Sequence, residues 1–288
     1  MDETPAPDTK PIAIPIAMRV HLAHAALQVV GEETHSRVLH IKGPAVDPGL
    51  GRSRIRSTDA DVLVRPSQIE AYVRGLVEHG WTAVTSFESG SAFEHAATYF
   101  HPSWGYADVH RLFPGLTAAD AFDALWEDHR MMEIAGVPCP TPSLTAQRLI
   151  LLLHVARNGR TEDADYQRAW EELDAEGRRE LTGLADRLGA RVGLAAALGH
   201  LDQYANDPSH DLWAVFSGGD HSRLAEWEAR LKAAPSKRAR LRLLVRALLV
   251  NTDHLALRLA RRPTRGEIIR EFFARIAQAL REMRRAGR

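Results

Sequence analysis

Hydrophobic periodicity changes character once along this chain, and that change limits what it can fold into. Up to about residue 137, short β-like runs alternate with helical ones; beyond it almost every run repeats at helical spacing. The β-like runs are 37–41, 59–64, 81–87, 94–100 and 106–110, with helices expected over 18–31, 67–79 and 118–130. Ser67 reads as the N-cap of the second helix, with Glu70 in the capping-box position. The run Val137-Pro-Cys-Pro-Thr-Pro reads as a break between two units. After it, helices are expected over 143–158, 164–176, 178–189, 191–204, 221–233, 237–261 and 266–285. The expected class is α+β, a small mixed sheet flanked by helices and followed by an all-helical domain. The expected organisation is a loose arm over 1–17, a sheet-bearing domain over 18–137, a helical domain over 138–236 and a basic helical segment over 237–288.

Several classes of protein are excluded at this level. A single cysteine, Cys139, allows no intramolecular disulfide framework. No apolar run approaches the roughly 20 residues that span a bilayer, and the start of the chain is neither basic nor followed by a signal-type apolar block. A cytoplasmic protein without a membrane partner is the expectation. The net charge of zero hides an asymmetry: from Lys237 onward there are fifteen Lys and Arg against four Asp and Glu, leaving the first 236 residues acidic by eleven. Such a tail either reaches for an anionic partner or lies on the protein's own acidic surface. Ile269, Phe272, Phe273, Ile276, Leu280 and Met283 recur at helical spacing within it, so one face is built to pack.

Within the sheet region, chemistry concentrates between Arg37 and Arg65. A β-like run ends at Lys42-Gly43-Pro44; a Gly- and Arg-rich connection follows, and then Asp59-Ala60-Asp61-Val62-Leu63-Val64. Residues two apart on a strand share a face, so Asp59 and Asp61 stand side by side. Burying two carboxylates without a counter-charge is costly, and a divalent cation removes the cost. Mg²⁺ is commonly held by one or two carboxylates together with substrate phosphates. Asp108 offers a third acid on a later β-like run, with His110 on the same face. A solvated edge strand is the plain alternative for such a pair, and a salt bridge to Asp59 or Asp61 is the plain alternative for Arg56.

The ordered set Lys42-Gly43, Arg56, Asp59-x-Asp61 and Asp108-x-His110 resembles the bacterial "uncharacterised nucleotidyltransferase" family of the DNA polymerase β-like superfamily. The likeness continues through L-W-E-D-H-R-M-M-E-I-A-G-V-P and A-Q-R-L-I-L-L-L-H-V-A-R and covers roughly residues 36–158. It implies transfer of a nucleoside monophosphate from an NTP such as ATP to a hydroxyl acceptor. Asp59 and Asp61 would hold two Mg²⁺ ions, and Asp108 would bind the catalytic one and help deprotonate the acceptor. Lys42, Gly43 and Arg56 would bind the nucleotide, helped by Arg52 and Arg54, and His110 would orient an acid or contact the acceptor. The acceptor is left open between a small hydroxylated molecule, a peptide and a protein side chain, with RNA favoured only if the basic tail lines the cleft. Pro44 departs from the superfamily, which places Gly or Ser there; it has no N–H to offer a phosphate. A second expectation therefore stands beside the enzyme: a nucleotide- or peptide-binding regulatory module that keeps the fold without the turnover.

Other chemistries find no support. The chain has no Walker P-loop, no G-x-S-x-G elbow and no G-x-G-x-x-G. His95, His101 and His110 fall in one segment with Asp108, but their spacing fits no standard zinc site. Trp104, Tyr106 and Trp126 read as core or pocket walls, and His154, within L-I-L-L-L-H-V-A, as a hydrogen-bonded core histidine.

Overall fold

The computed structural model describes residues 14–286 apart from 51–56, 88–94, 160–163, 219–222, 235, 249, 251 and 260. The first helix, α1 (Ile16–Glu33), puts Val20, Ala23, Leu27 and Val30 at spacings of three and four, which makes one buried face. It precedes β1 (Val38–Ile41), β2 (Asp59–Val64), α2 (Ile69–Glu78), β3 (Thr82–Ala83), β4 (Ala96–His101) and β5 (Gly105–His110). These five strands form one mixed sheet in the order β1-β2-β5-β4-β3, antiparallel throughout except for the parallel pair β2–β5. The expected mixed α+β architecture is what the chain adopts.

Alternation along the strands divides the sheet into two unlike faces. Ala60, Val62, Val64, Ala97, Tyr99, Ala107 and Val109 share a core with the apolar sides of α1 and α2. There the Tyr72 hydroxyl of α2 donates to the carbonyl of Leu27 at 3.0 Å, so its one polar atom is satisfied inside the core. Leu39, Ile41 and Leu63 point the other way, into a second core built with Leu149, Ile150 and Leu153. Those three lie on α4 (Leu144–Asn158), an apolar helix ended by Gly159 in the left-handed conformation.

Three expectations are corrected in this part of the chain. The strand expected over 81–87 shrinks to Thr82–Ala83. Thr85 ends the ladder: its Oγ1 accepts from the Thr98 N–H at 2.9 Å, while the N–H groups of Val84 and Thr85 both converge on the Thr98 carbonyl. The helix expected over 118–130 is the shorter α3 (Ala121–Glu127), and the proline-rich break is a strand. There β6 (Arg130–Ile134) and β7 (Val137–Thr141) form a hairpin whose two turn residues, Ala135 and Gly136, both have positive φ, as a two-residue turn of matching twist requires. Pro138 and Pro140 face Glu133 and Met131. Counting back from the turn, these are the non-hydrogen-bonded pairs of the ladder, where a missing N–H costs nothing.

Every regular element described after Thr141 is helical. Following α4 come α5 (Ala164–Tyr166), which runs into a π-turn over Gln167–Glu171, α6 (Ala175–Arg187), α7 (Arg191–Ala197) and α8 (His210–Ser217). Next are α9 (Arg223–Ala233), α10 (Lys237–Leu248), α11 (Thr252–Leu259) and α12 (Arg265–Ala286). The run expected as one helix over 237–261 is thus two, and α8 is a helix that the periodicity reading did not place. Among the described residues no helix is long and apolar enough to cross a membrane. Most of the expected arm, residues 1–13, lies outside the described residues, and Ile16 already belongs to α1.

Candidate active site

The site begins with the alternation of β2. If Ala60, Val62 and Val64 are to be buried against α1 and α2, then Asp59, Asp61 and Leu63 must face the other way. The parallel register sets Asp61 directly opposite Asp108, Leu63 opposite His110 and Asp59 opposite Tyr106. Asp108 and His110, two apart on β5, therefore look out on the same side as the two acids of β2. The antiparallel partner β4 adds Thr98 opposite Asp108, and its Oγ1 donates to Asp108 Oδ1 at 2.7 Å.

Asp61 is the hub, only 5 % exposed. Its Oδ1 receives the Lys42 ammonium at 2.5 Å and the His110 Nε2–H at 2.9 Å. Burial pushes its carboxyl up, but the Lys42 charge and the His110 hydrogen bond outweigh that and hold it well below the usual carboxylate range. His110 is driven the other way by burial and stays neutral, donating from Nε2. Its Nδ1 is buried without a hydrogen-bond partner. Its ring lies 5.1 Å from that of His95 and stacks on Phe113 at 5.9 Å.

Asp59 is half-buried, as Asp108 is, where Asp61 is buried. Burial first, and then the charges of Asp61 and Asp108, raise its carboxyl to about 6, against the opposing pull of Lys42. Like charges are thus held together with incomplete compensation, which is where a cation binds most favourably. The donor set fits a divalent ion: Asp61, Asp108 and His110 each offer one ligand atom, all within 4.8 Å of one another. Asp59 stands outside that tight group.

Lys42 reaches Asp61 from the end of β1, where Ile41 is the register partner of Asp61. The turn that aims it is strained: Lys42 has φ 58° and ψ −176°, a region that favours glycine. Gly43 follows at φ 47°, and a Cβ there would lie 2.9 Å from Ser57 Oγ. Its missing side chain therefore makes room for Ser57. Pro44 sits in the first turn of a short 3₁₀ segment, Gly43–Ala45, where its absent N–H breaks no bond. Arg56, with Arg52 and Arg54, lies outside the described residues.

The last turn of α4 adds two residues that were not singled out as site residues. Burial lowers His154 to about 4, and the charges of Lys42, Asp61, Arg157 and His110 all act on it. Burial also lowers Arg157, against which the charges of Asp61 and Asp108 act. Their separation of three residues, on one side of a helix, was the available signal. It reads as core packing until the acids of the sheet are known to lie beneath it.

A family described as uncharacterised nucleotidyltransferases matches residues 17–206 of the chain. No curated protein matches it. Among solved structures, the lincomycin-bound lincosamide antibiotic adenylyltransferase LnuA is 15% identical, with 56% of this chain and 94% of that one covered and a TM-score of 0.33. The antibiotic-resistance factor ANT(2'')-Ia is 15% identical, with coverages of 66% and 100% and a TM-score of 0.43. Likenesses this loose carry no argument about chemistry.

Proposed function

The chain belongs to the uncharacterised nucleotidyltransferase family, and from that premise we propose that it moves a nucleoside monophosphate from an NTP to a hydroxyl acceptor, with Asp59, Asp61 and Asp108 as its catalytic acids. The observation that carries this reading is the register of β2 on β5, which sets Asp61 against Asp108 on the face that Asp59 shares. Divalent cations, two Mg²⁺ in this proposal, would lend positive charge to the α-phosphate and to the attacking oxygen when bound by these acids. Lys42 and Gly43, with Arg56 beyond them, take the triphosphate. The acceptor oxygen forms its bond to the α-phosphorus, and the bond from that phosphorus to the pyrophosphate oxygen breaks. Asp108 takes the hydroxyl proton, and Thr98 holds its carboxyl in place. His110 acts behind them by fixing Asp61 through Nε2.

The proposal includes a nucleotidyltransferase unit over 18–137 and a helical unit over 138–236, which supplies α4 to the site. The shared core of Leu39, Ile41 and Leu63 with Leu149, Ile150 and Leu153 supports their working as one body. A second reading, nucleotide binding without turnover, draws support from Gly43: the space its missing Cβ leaves is taken by Ser57, and Pro44 beside it has no N–H. Pyrophosphate release with each NTP, Mg²⁺ and a broad acceptor set separates the two. The enzyme predicts release that vanishes in Asp61→Asn and falls by about 10²–10³ in Asp108→Asn. Tight nucleotide binding with no release from any acceptor leaves only the binding module.

A further inference from the structure

One part of the acid-bearing face is neither acidic nor buried. One step along the strands from Asp108 and Thr98, the register pairs Tyr106 with Phe100, and on its other side Tyr106 faces Asp59. The two rings lie 5.0 Å apart between centroids, at 52°. Tyr106 is 46% exposed, although its neighbours along the same side of β5, Asp108 and His110, become progressively more covered. The remaining aromatic groups at this end of the hairpin are committed elsewhere: His101 stacks on Trp104 and lies against Trp81, on the side of the α1 and α2 core.

The site therefore has direction. Its deep end is closed by His95, His110 and Phe113, all nearly inaccessible. Lys42 stands on the β1 side of Asp61, and the Phe100–Tyr106 pair stands on the opposite, β4–β5 side at the open end. Displacement at phosphorus is in line, so the entering oxygen and the leaving pyrophosphate lie on opposite sides of the α-phosphorus. If the pyrophosphate departs toward the Lys42 ammonium, the entering hydroxyl comes from the side of the aromatic pair.

We propose that Phe100 and Tyr106 form a ledge for the acceptor, and that the acceptor is a hydroxyl compound carrying a flat ring beside its reacting oxygen. The inference deepens the nucleotidyltransferase reading and rests on it for the direction of attack. The ring stacks on the exposed face of Tyr106, with Phe100 bracing that ring from β4. The hydroxyl then falls next to Asp108, two residues along the same strand face.

The test uses the full chain and a matched pair of probes, 2-phenylethanol and 2-cyclohexylethanol, followed by saturation-transfer NMR, with ATP affinity measured separately by calorimetry. The expected result is saturation of the aryl protons well above that of the cyclohexyl analogue. Tyr106→Ala should lower it by about fivefold, the usual range for one aromatic pair, while the ATP dissociation constant stays within about twofold. Tyr106→Leu, which keeps an apolar side chain but no ring, should behave like Tyr106→Ala and covers the case in which the latter fails to fold. Aryl saturation unchanged in both variants would reduce the pair to a brace for the hairpin and overturn the inference. Weakened ATP binding with the aryl signal intact would also overturn it, by assigning the ledge to the nucleobase. Because the readout is binding, absence of pyrophosphate release would defeat the proposed reaction while leaving the ledge to stand or fall on its own result.

Discussion

The two faces of the sheet are made from the same strands, yet they solve opposite problems. Toward α1 and α2 the face is apolar, and its histidines are arranged in a neutral chain whose far end, His24 Nε2, is buried without a hydrogen-bond partner. Glu32 Oε1 accepts from Gln28 Nε2 at 3.0 Å, which leaves Gln28 Oε1 to accept from His40 Nε2 at 3.0 Å. His40 Nδ1 must then accept from His24 Nδ1 at 2.9 Å. On the other face three carboxylates converge, one raised to about 6 by burial and its neighbours, and the lysine that tempers them sits on a strained backbone. One-residue alternation thus separates a face built for stability from one that holds like charges together at a cost. Such a cost is characteristic of a site.

The contrast can be broken most sharply through activity. Asp108→Asn, which keeps the shape and the Thr98 contact, should lower pyrophosphate release by about 10²–10³, the scale on which one transition-state contact counts, without lowering the urea midpoint of the metal-free protein. Leu76→Ala, on the opposite side of the sheet and fully buried, should do the reverse. About 3 kcal/mol of stability should be lost with the turnover of the remaining folded protein unchanged. A large fall in turnover with no fall in stability would show that the two faces are not independent.

Acid sharpens the comparison on the α1 side. Burial lowers His24 from 6.5 to about 4, so between those values the unfolded chain binds a proton that the folded one refuses. Stability should be level above pH 6.5 and fall below it, by about 2 kcal/mol at pH 5 from this residue alone. Urea midpoints at pH 7.5 and 5 measure the fall, and His24→Gln should flatten part of it. The smallest effect belongs to Asp59, whose sign is opposite. Its carboxyl holds a proton up to about 6 in the folded state but only to about 3.8 when unfolded, so ionisation weighs against the fold as pH rises through that window. Asp59→Asn should therefore stabilise the metal-free protein at pH 7.5 by about 1 kcal/mol, allowing for partial exposure. No gain should remain below pH 3.8. Destabilisation at pH 7.5 would mean that Asp59 is already compensated.

Legibility followed the reach of the interaction. The alternation in Asp59-Ala60-Asp61-Val62-Leu63-Val64 is local, so the shared face of the two acids and the apolar face behind them were readable. The lysine at the end of β1 was readable as a site residue. Its ion pair with Asp61 was not, because that depends on the pairing of β1 with β2 and on a positive φ that no lysine signals. His154 and Arg157 were hidden in an apolar helix for the same reason: their relevance comes from where α4 lies over the sheet. The β6–β7 hairpin was missed because two prolines obscure a strand, and only the spacing that places both on non-hydrogen-bonded pairs rescues it.

The central claim, that these acids gather to move a nucleotidyl group, is tested most directly by following the label. The protein is incubated with Mg²⁺, an acceptor mixture and each NTP labelled at either the α- or the γ-phosphate. The account predicts label in the acceptor only from the α-position, with γ-label released as pyrophosphate and both signals lost in Asp61→Asn. Label carried over from the γ-position would contradict it, as would α-label transfer that survives Asp61→Asn.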